Sequence, residues 1–520
     1  MNLMTQPMSS RKFWLLAALA CTALVILTRL PALLGPHLIP DGDEAVLGLM
    51  ARELVAGDSL PLFFSGQRYG LSIVETASAA LAFGVFGSST LALKAAMLPL
   101  FIIGTLLHAS AARRFSGTTA AVVVLLLLSV APAWGGFALK ARGGYLTAYL
   151  FSGLVLHVAS KGLREEGQAS PVPLGLSLGA VLAVQPLWAL PLLLWVALRA
   201  WPLAWSGRVI FAACAAALPL ASLALASLLD VEGLDWSPSL ANRALGPALL
   251  LEWPRDVWEA STGAFYLRDV STRGVLAVTG GLWGLACVFA WIASALAILR
   301  VDITSGSSRQ SNHAMGLLAI GALAATAIAL PTDTPRYLLP ALSIGVLLFG
   351  ITLAPALARR SGLALSAVAG LILSALPALT GLREMPLAGG VEARVDSESA
   401  ALASLIEALD ERGIEHVYCE HNLLQWIVMF ESEERIRARW HPAVDRIPAH
   451  PIVVDMAAAA GEPVAWIGYR EQASGVESHY QKLGSEPPVI EFIAGRYFLI
   501  AEPLDPVLRN AGFELAPVVD

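Results

Sequence analysis

What most constrains this chain is a series of apolar runs, each long enough to cross a lipid bilayer. They fall near residues 13–34, 91–112, 117–134, 145–160, 209–229, 276–299, 314–331, 337–357 and 362–381, and a membrane helix needs roughly 17–25 such residues. A longer run, 172–198, is broken at Gln185-Pro186. Proline there removes a backbone donor and ends or kinks a helix, so the run reads as two short helices meeting near one face of the membrane. The expectation is an α-helical polytopic membrane protein with about eleven transmembrane helices. A hydrophobic fraction of 56% against 14% charged residues excludes an ordinary soluble domain.

The loop charges test that count. Arg11/Lys12, Arg113/Arg114, Lys161/Arg164, Arg199/Arg208, Arg300/Arg309 and Arg359/Arg360 all fall on one side if the N-terminus is cytoplasmic, the pattern the positive-inside rule requires. Counting Leu71–Phe86 as a further span would reverse every later loop. That segment carries Glu75 and is closed by Gly84 and Gly87, so it reads as a helix in or near the outer interface. Arg11-Lys12 and the apolar run after it read as a retained first helix rather than a cleaved signal. The outer face then gathers a first loop 35–90, a short loop 135–144, a long loop 230–275, Pro331–Tyr337 and the C-terminal tail.

Charge divides the chain into two domains. Residues 1–381 carry 23 Lys+Arg and 17 Asp+Glu, a balance of +6; residues 382–520 carry 11 and 23, a balance of -12. The tail reads as a small, soluble α/β domain. Ser399–Arg412 has helical periodicity, and Ile414–Tyr418, Pro451–Val454, Val464–Ile467, Val489–Phe492 and Tyr497–Ala501 read as strands. No basic run suits nucleic acid. Cys21, Cys214 and Cys287 lie in apolar segments and Cys419 is alone in the tail, which disfavours a disulfide or cysteine-zinc framework. His421, His441 and His450 lack a tight metal-ligand spacing. There is no nucleophile elbow, phosphate loop or dinucleotide fingerprint.

The polar residues of the outer face concentrate around Asp41-Gly42-Asp43-Glu44, entered through Pro40. Three carboxylates in four residues repel one another unless a cation sits among them; the plainer reading is a solvated turn. The same loop supplies Arg52, Glu53, Arg68, Tyr69 and Glu75, the second supplies Lys140, Arg142 and Tyr145, and the last supplies Asp333, Arg336 and Tyr337. Lys140 and Arg142 stand on the side that the positive-inside rule disfavours. Acids facing cations across a membrane surface suit a phosphorylated lipid: Lys and Arg hold phosphate, and an acid serves as general base or binds a divalent cation. Bland readings stand beside these. Glu44 and Arg52 can be helix-end charges, Arg336-Tyr337 can anchor the interface, and Arg29 and Lys94 read as snorkelling side chains. His108 and Gly280–Gly284 read as helix packing. Trp236, Trp253, Trp258 and Tyr266 anchor their loop or stack on sugar rings.

In their order and shared sidedness these residues resemble the GT-C superfamily of integral-membrane glycosyltransferases, in the bacterial branch of protein O-mannosyltransferases and aminoarabinose transferases. The resemblance rests on Asp43-Glu44-Ala45 through Leu49-Met50-Ala51-Arg52, Phe63-Phe64, Gln67-Arg68-Tyr69-Gly70, Leu139-Lys140-Ala141-Arg142-Gly143-Gly144-Tyr145 and Pro335-Arg336-Tyr337-Leu338-Leu339-Pro340, and covers most of residues 10–381. It implies a polyprenyl-phosphate-sugar donor and an acceptor of lipid, glycan or protein class, with inversion at the sugar. It also implies a bacterial inner membrane, with the site and the tail on the periplasmic face. On that resemblance Asp43 is the catalytic carboxylate, as base or as ligand of a divalent cation (Mg or Mn), with Glu44 beside it. Lys140, Arg142 and Arg336 neutralise the departing lipid phosphate, and Asp41, Arg68, Tyr69, Glu75, Tyr145 and Tyr337 line the substrate site. Many relatives carry a second acid after the basic residues of the short loop. Here that stretch, Arg142-Gly143-Gly144-Tyr145-Leu146-Thr147, has none, and Glu75 or Asp41 would substitute. The alternative is a non-catalytic lipid-handling or transport protein on the same scaffold, although transporters place ionisable groups near the bilayer midplane. A third reading makes the tail the functional centre.

Overall fold

The structure, a computed structural model, describes residues 10–68, 70–161, 170–229, 247–263, 274–298, 306–329, 335–384, 395–440, 449–513 and 515. Helix α1 (Ser10–Leu33) leads into a loop that holds α2 (Gly42–Ala56) and α3 (Ile73–Phe86). Helices α4 (Thr90–Ala95) and α5 (Leu98–Ser116) continue as one apolar span, and α6 (Thr118–Val130) bends by 52° into short turns over Pro132–Leu139. There follow α7 (Tyr145–Ala159), α8 (Pro171–Val184), α9 (Pro186–Ala200), α10 (Trp205–Leu228), α11 (Pro247–Thr262), α12 (Gly274–Ala297), α13 (Gly306–Ala329), α14 (Leu339–Ala358) and α15 (Gly362–Gly381).

Seven of the described helices are long and apolar enough to cross a membrane, or eight if the bent pair counts as one span. The count of eleven is not confirmed. The difference is α7, α8 and α9, with 15, 14 and 15 residues. At ~1.5 Å rise per residue they reach about 21–23 Å, short of a hydrocarbon core of roughly 30 Å. Pro186 is the cause for two of them, opening a new helix directly after an extended Gln185. The break lies beside the first and second loops, since Leu71 N donates to Ala183 O at 3.3 Å and Gly144 lies against Val184. Segment α3 is a 14-residue helix, below spanning length. Loop 230–275 also holds a helix, α11. The indole of Trp253 donates to Thr326 Oγ1 at 3.1 Å and that of Trp258 to Ala277 O at 2.7 Å, so both tie α11 to neighbouring helices. Gly280 and Gly284 face that same helix. Trp236 and Tyr266 lie outside the described residues.

The C-terminal part comprises α16 (Glu398–Asp410), β1 (His416–Cys419), α17 (Leu424–Glu431), β2 (Arg437–Trp440), α18 (Ala449–Ala459), β3 (Val464–Tyr469), α19 (Ala473–Lys482), β4 (Glu491–Ile493), β5 (Tyr497–Ala501) and α20 (Asp505–Asn510). The sheet order is β2-β1-β3-β5-β4, with β1 parallel to β2 and β3 and with β5 antiparallel to β3 and β4. Pro451–Val454 lies in α18 and is no strand. Four apolar residues fit either state, and the alanines at 457–459 extend the helix. Strand β2, Arg437–Trp440, carries two arginines, of which Arg439 is buried with its Nη1 2.5 Å from Asp455 Oδ2. One apolar core runs from the membrane helices into this domain, joining Met50, Phe64 and Phe83 to Leu424 and Phe430.

Candidate active site

The acidic stretch starts helix α2. Asp41 is its N-cap: Glu44 N donates to Asp41 Oδ1 at 3.0 Å, and Asp41 N donates to Glu44 Oε2 at 2.9 Å. This reciprocal capping box fixes the turn and sets three carboxylates at the positive end of the helix dipole. The cations come from two other elements. Lys94 of α4 lies 2.8 Å from both Glu44 oxygens. Lys140 Nζ lies 2.7 Å from Asp41 Oδ2 and 3.6 Å from Glu44 Oε2. Arg142 places Nε 3.3 Å from Asp41 Oδ2 and Nη2 2.8 Å from Asp43 Oδ2.

These six groups form a ladder of alternating charge, Lys94–Glu44–Lys140–Asp41–Arg142–Asp43. Side-chain exposure climbs along it through 0, 0, 1, 4 and 7% to 24%. Only Asp43 at the outer end keeps appreciable contact with solvent. Burial alone would raise the Asp41 carboxyl, but Arg142 and Lys140 outweigh it and hold the group well below the usual carboxylate range.

The neighbouring segment is fixed just as tightly. Gly143 and Gly144 adopt positive φ, 62° and 112°, which only glycine takes without strain, and they turn the chain from Arg142 into α7. Glu75 of α3 accepts from Leu146 N at 2.9 Å and Thr147 N at 3.1 Å, a carboxylate on the first turn of α7. Burial pushes the Glu75 carboxyl up, against these amides. Arg336 hydrogen-bonds to Tyr145 and stands 5.4 Å from the Tyr337 ring. Thus the structure brings Asp41, Asp43, Glu44, Lys140 and Arg142 into direct contact, with Glu75, Tyr145, Arg336 and Tyr337 around the α7 end. Arg68 is half-buried on the turn beyond Phe63, which bridges to Leu71. Tyr69 and Asp333 lie outside the described residues.

Lys94 and Arg29 do not snorkel; both are fully buried. Arg29 donates to Ser129 O and, at 3.2 Å, to Trp134 O, which pins α1 to the end of α6. Lys94 is the member of the ladder that sequence reasoning missed. Its signal was present, a lone charge in an apolar stretch, which requires a partner. The expected divalent cation does not fit. The carboxylates of the cluster already hold Lys or Arg, and among the described residues no group of three or more His, Cys, Asp or Glu side chains converges as a metal site.

No protein-family model and no curated protein matches the sequence. Solved structures do. ArnT from Cupriavidus metallidurans bound to undecaprenyl phosphate aligns over 96% of this chain and 99% of its own, with 13% identity and a TM-score of 0.60. Its apo state aligns over 97% and 100%, with 16% identity and a TM-score of 0.53. The Archaeoglobus fulgidus oligosaccharyltransferase, tethered with an acceptor peptide containing the NVT sequon, aligns over 92% of this chain and 71% of its own, with 11% identity and a TM-score of 0.52. The chain has the GT-C fold. The multi-pass body and the C-terminal sheet follow that architecture over nearly the whole length.

Proposed function

We propose that the protein is an inner-membrane glycosyltransferase, inverting at the sugar, that works on the periplasmic face. It moves a sugar from a polyprenyl-phosphate donor to a lipid, glycan or protein acceptor. Residues 1–381 carry the chemistry and 382–520 form an accessory domain. The observation that carries this reading is the position of Asp43: partly open to solvent, 2.8 Å from Arg142, at the end of a buried charge ladder. ArnT, whose fold this chain shares, was crystallised with undecaprenyl phosphate, which supports a lipid phosphate as the ligand.

In the proposed reaction the acceptor oxygen or nitrogen attacks the anomeric carbon from the face opposite the phosphate. The sugar–phosphate bond breaks, its electron pair stays on the phosphate oxygen, and the acceptor proton passes to Asp43. Arg142, Lys140 and Arg336 stabilise the charge that develops on the leaving group. Asp41 and Glu44 hold these cations in place, Asp41 through Lys140 and Arg142, and Glu44 through Lys94 and Lys140. The test is Asp43→Asn in membranes supplied with polyprenyl-phosphate sugars. Transfer should fall by roughly 10²–10⁴-fold while the unfolding midpoint holds, and unchanged turnover would remove the base. The lipid-handling alternative draws on the complete countercharging of the cluster; wild-type protein that binds the lipid and transfers nothing would favour it.

A further inference from the structure

Helix α2 carries two glycines six residues apart, and both face the C-terminal domain. A Cβ at Gly42 would lie 2.7 Å from Cδ2 and 2.9 Å from Cα of Leu423. One at Gly48 would lie 2.7 Å from Phe430 Cδ2 and closer still to Cε2. Leu423 and Phe430 stand two helical turns apart, so α17 and its lead-in present both on one face. Glycine matters here for its missing volume. Any side chain would push the two helices apart.

Two polar contacts close the same interface. Arg52 stacks its guanidinium 4.3 Å from the Phe430 ring centre, and donates to Phe430 O and Ser88 Oγ, each at 2.7 Å. Thr90, at the start of α4, donates to Glu431. Thr90 is one turn ahead of Lys94, the partner of Glu44. Helix α17 therefore grips both elements that supply the innermost ion pair: α2 at Gly42, Gly48 and Arg52, and α4 at Thr90.

We propose that α17 is a positioning element of the active site. Docking of the C-terminal domain through Leu423, Phe430 and Glu431 sets where the Asp41–Glu44 turn stands relative to Lys94, Lys140 and Arg142. The effect on rate rests on the transferase reading; the effect on the turn does not. A displacement of about 1 Å at a catalytic group can cost ~10²-fold in rate, so a tight interhelical fit is a direct lever on turnover.

The experiment uses the full chain in lipid nanodiscs, as Gly48→Ala, Phe430→Ala, the double variant and the milder Thr90→Val. Two readouts are taken: amide exchange at Glu44 N–H, and sugar transfer. Gly48→Ala should speed Glu44 exchange at least ~10-fold, as the capped turn opens locally, and lower kcat by about 10²-fold with donor KM little changed. The double variant, with the ring removed, should return exchange and kcat toward wild type, and Thr90→Val should shift both modestly. A residue that merely stabilised the fold would lower the melting midpoint with no such reciprocal recovery. Unchanged Glu44 exchange in Gly48→Ala, or additive losses in the double variant, would overturn the proposal. Faster exchange in a protein whose wild type transfers no sugar would keep the positioning role and sink the transferase reading.

Discussion

Lys94 Nζ sits 2.8 Å from both carboxylate oxygens of Glu44, and neither side chain is exposed. An internal pair of this kind adds little net stability, but removing Lys94 leaves the buried Glu44 charge with only the more distant Lys140 and the Asp41 amide. Lys94→Met should cost about 3–5 kcal/mol, read as a drop in the unfolding midpoint in detergent. Adding Glu44→Gln should recover most of it. A single variant as stable as wild type would show that Glu44 is satisfied by other groups.

Arg142 bridges two acids, with Nε on Asp41 and Nη2 on Asp43. A lysine keeps the charge and loses the planar fork. Under the transferase reading, Arg142→Ala should lower kcat by about 10²–10³-fold, with Arg142→Lys between that and wild type. Steady-state kinetics would show it, and a lysine variant equal to wild type would mean that charge alone suffices.

Glu75 holds the first turn of α7 through Leu146 N and Thr147 N. Glu75→Gln keeps a carbonyl oxygen for those bonds, whereas Glu75→Ala leaves the amides buried without it. The alanine should cost about 1–2 kcal/mol more than the glutamine, measured by thermal unfolding. Equal midpoints would argue that the contact is incidental.

Glu420 follows β1 and accepts from the Trp466 indole at 3.1 Å. Burial pushes its carboxyl up to about 7, against that bond. The unfolded value lies near ~4.3, so between the two the native state keeps a proton that the unfolded chain has lost. The stability this group contributes is complete below about pH 4 and disappears as pH rises through about 7. Glu420→Gln should flatten that slope and gain on the order of 1–2 kcal/mol near pH 8, less than the bare shift implies because the side chain stays partly wet. Urea unfolding followed by tryptophan fluorescence would test it. Identical slopes in variant and wild type would rule it out.

Much of this protein could be read locally. Apolar runs mark α1, α5, α10 and α12–α15 as helices long and apolar enough to cross, because burying ~20 residues in hydrocarbon demands that composition whatever the tertiary fold. Proline marks the α8–α9 break for an equally local reason, whereas the capping of α2 by Asp41 and Glu44 emerges in the structure. Short segments carry less: the strand expected at Pro451–Val454 is part of helix α18, since four residues carry no decisive period.

The sequence by itself determined that most acids and cations would stand in the loops between apolar runs, since hydrocarbon disfavours charge; Lys94 and Arg29, inside the runs 91–112 and 13–34, are the exceptions. Only the tertiary structure decided their order: which acid stays open, that Lys94 lies at the buried end, and that α17 presses on two glycines of α2. Those relations join residues far apart in the chain, and they depend on how close the helices come, which no local pattern encodes.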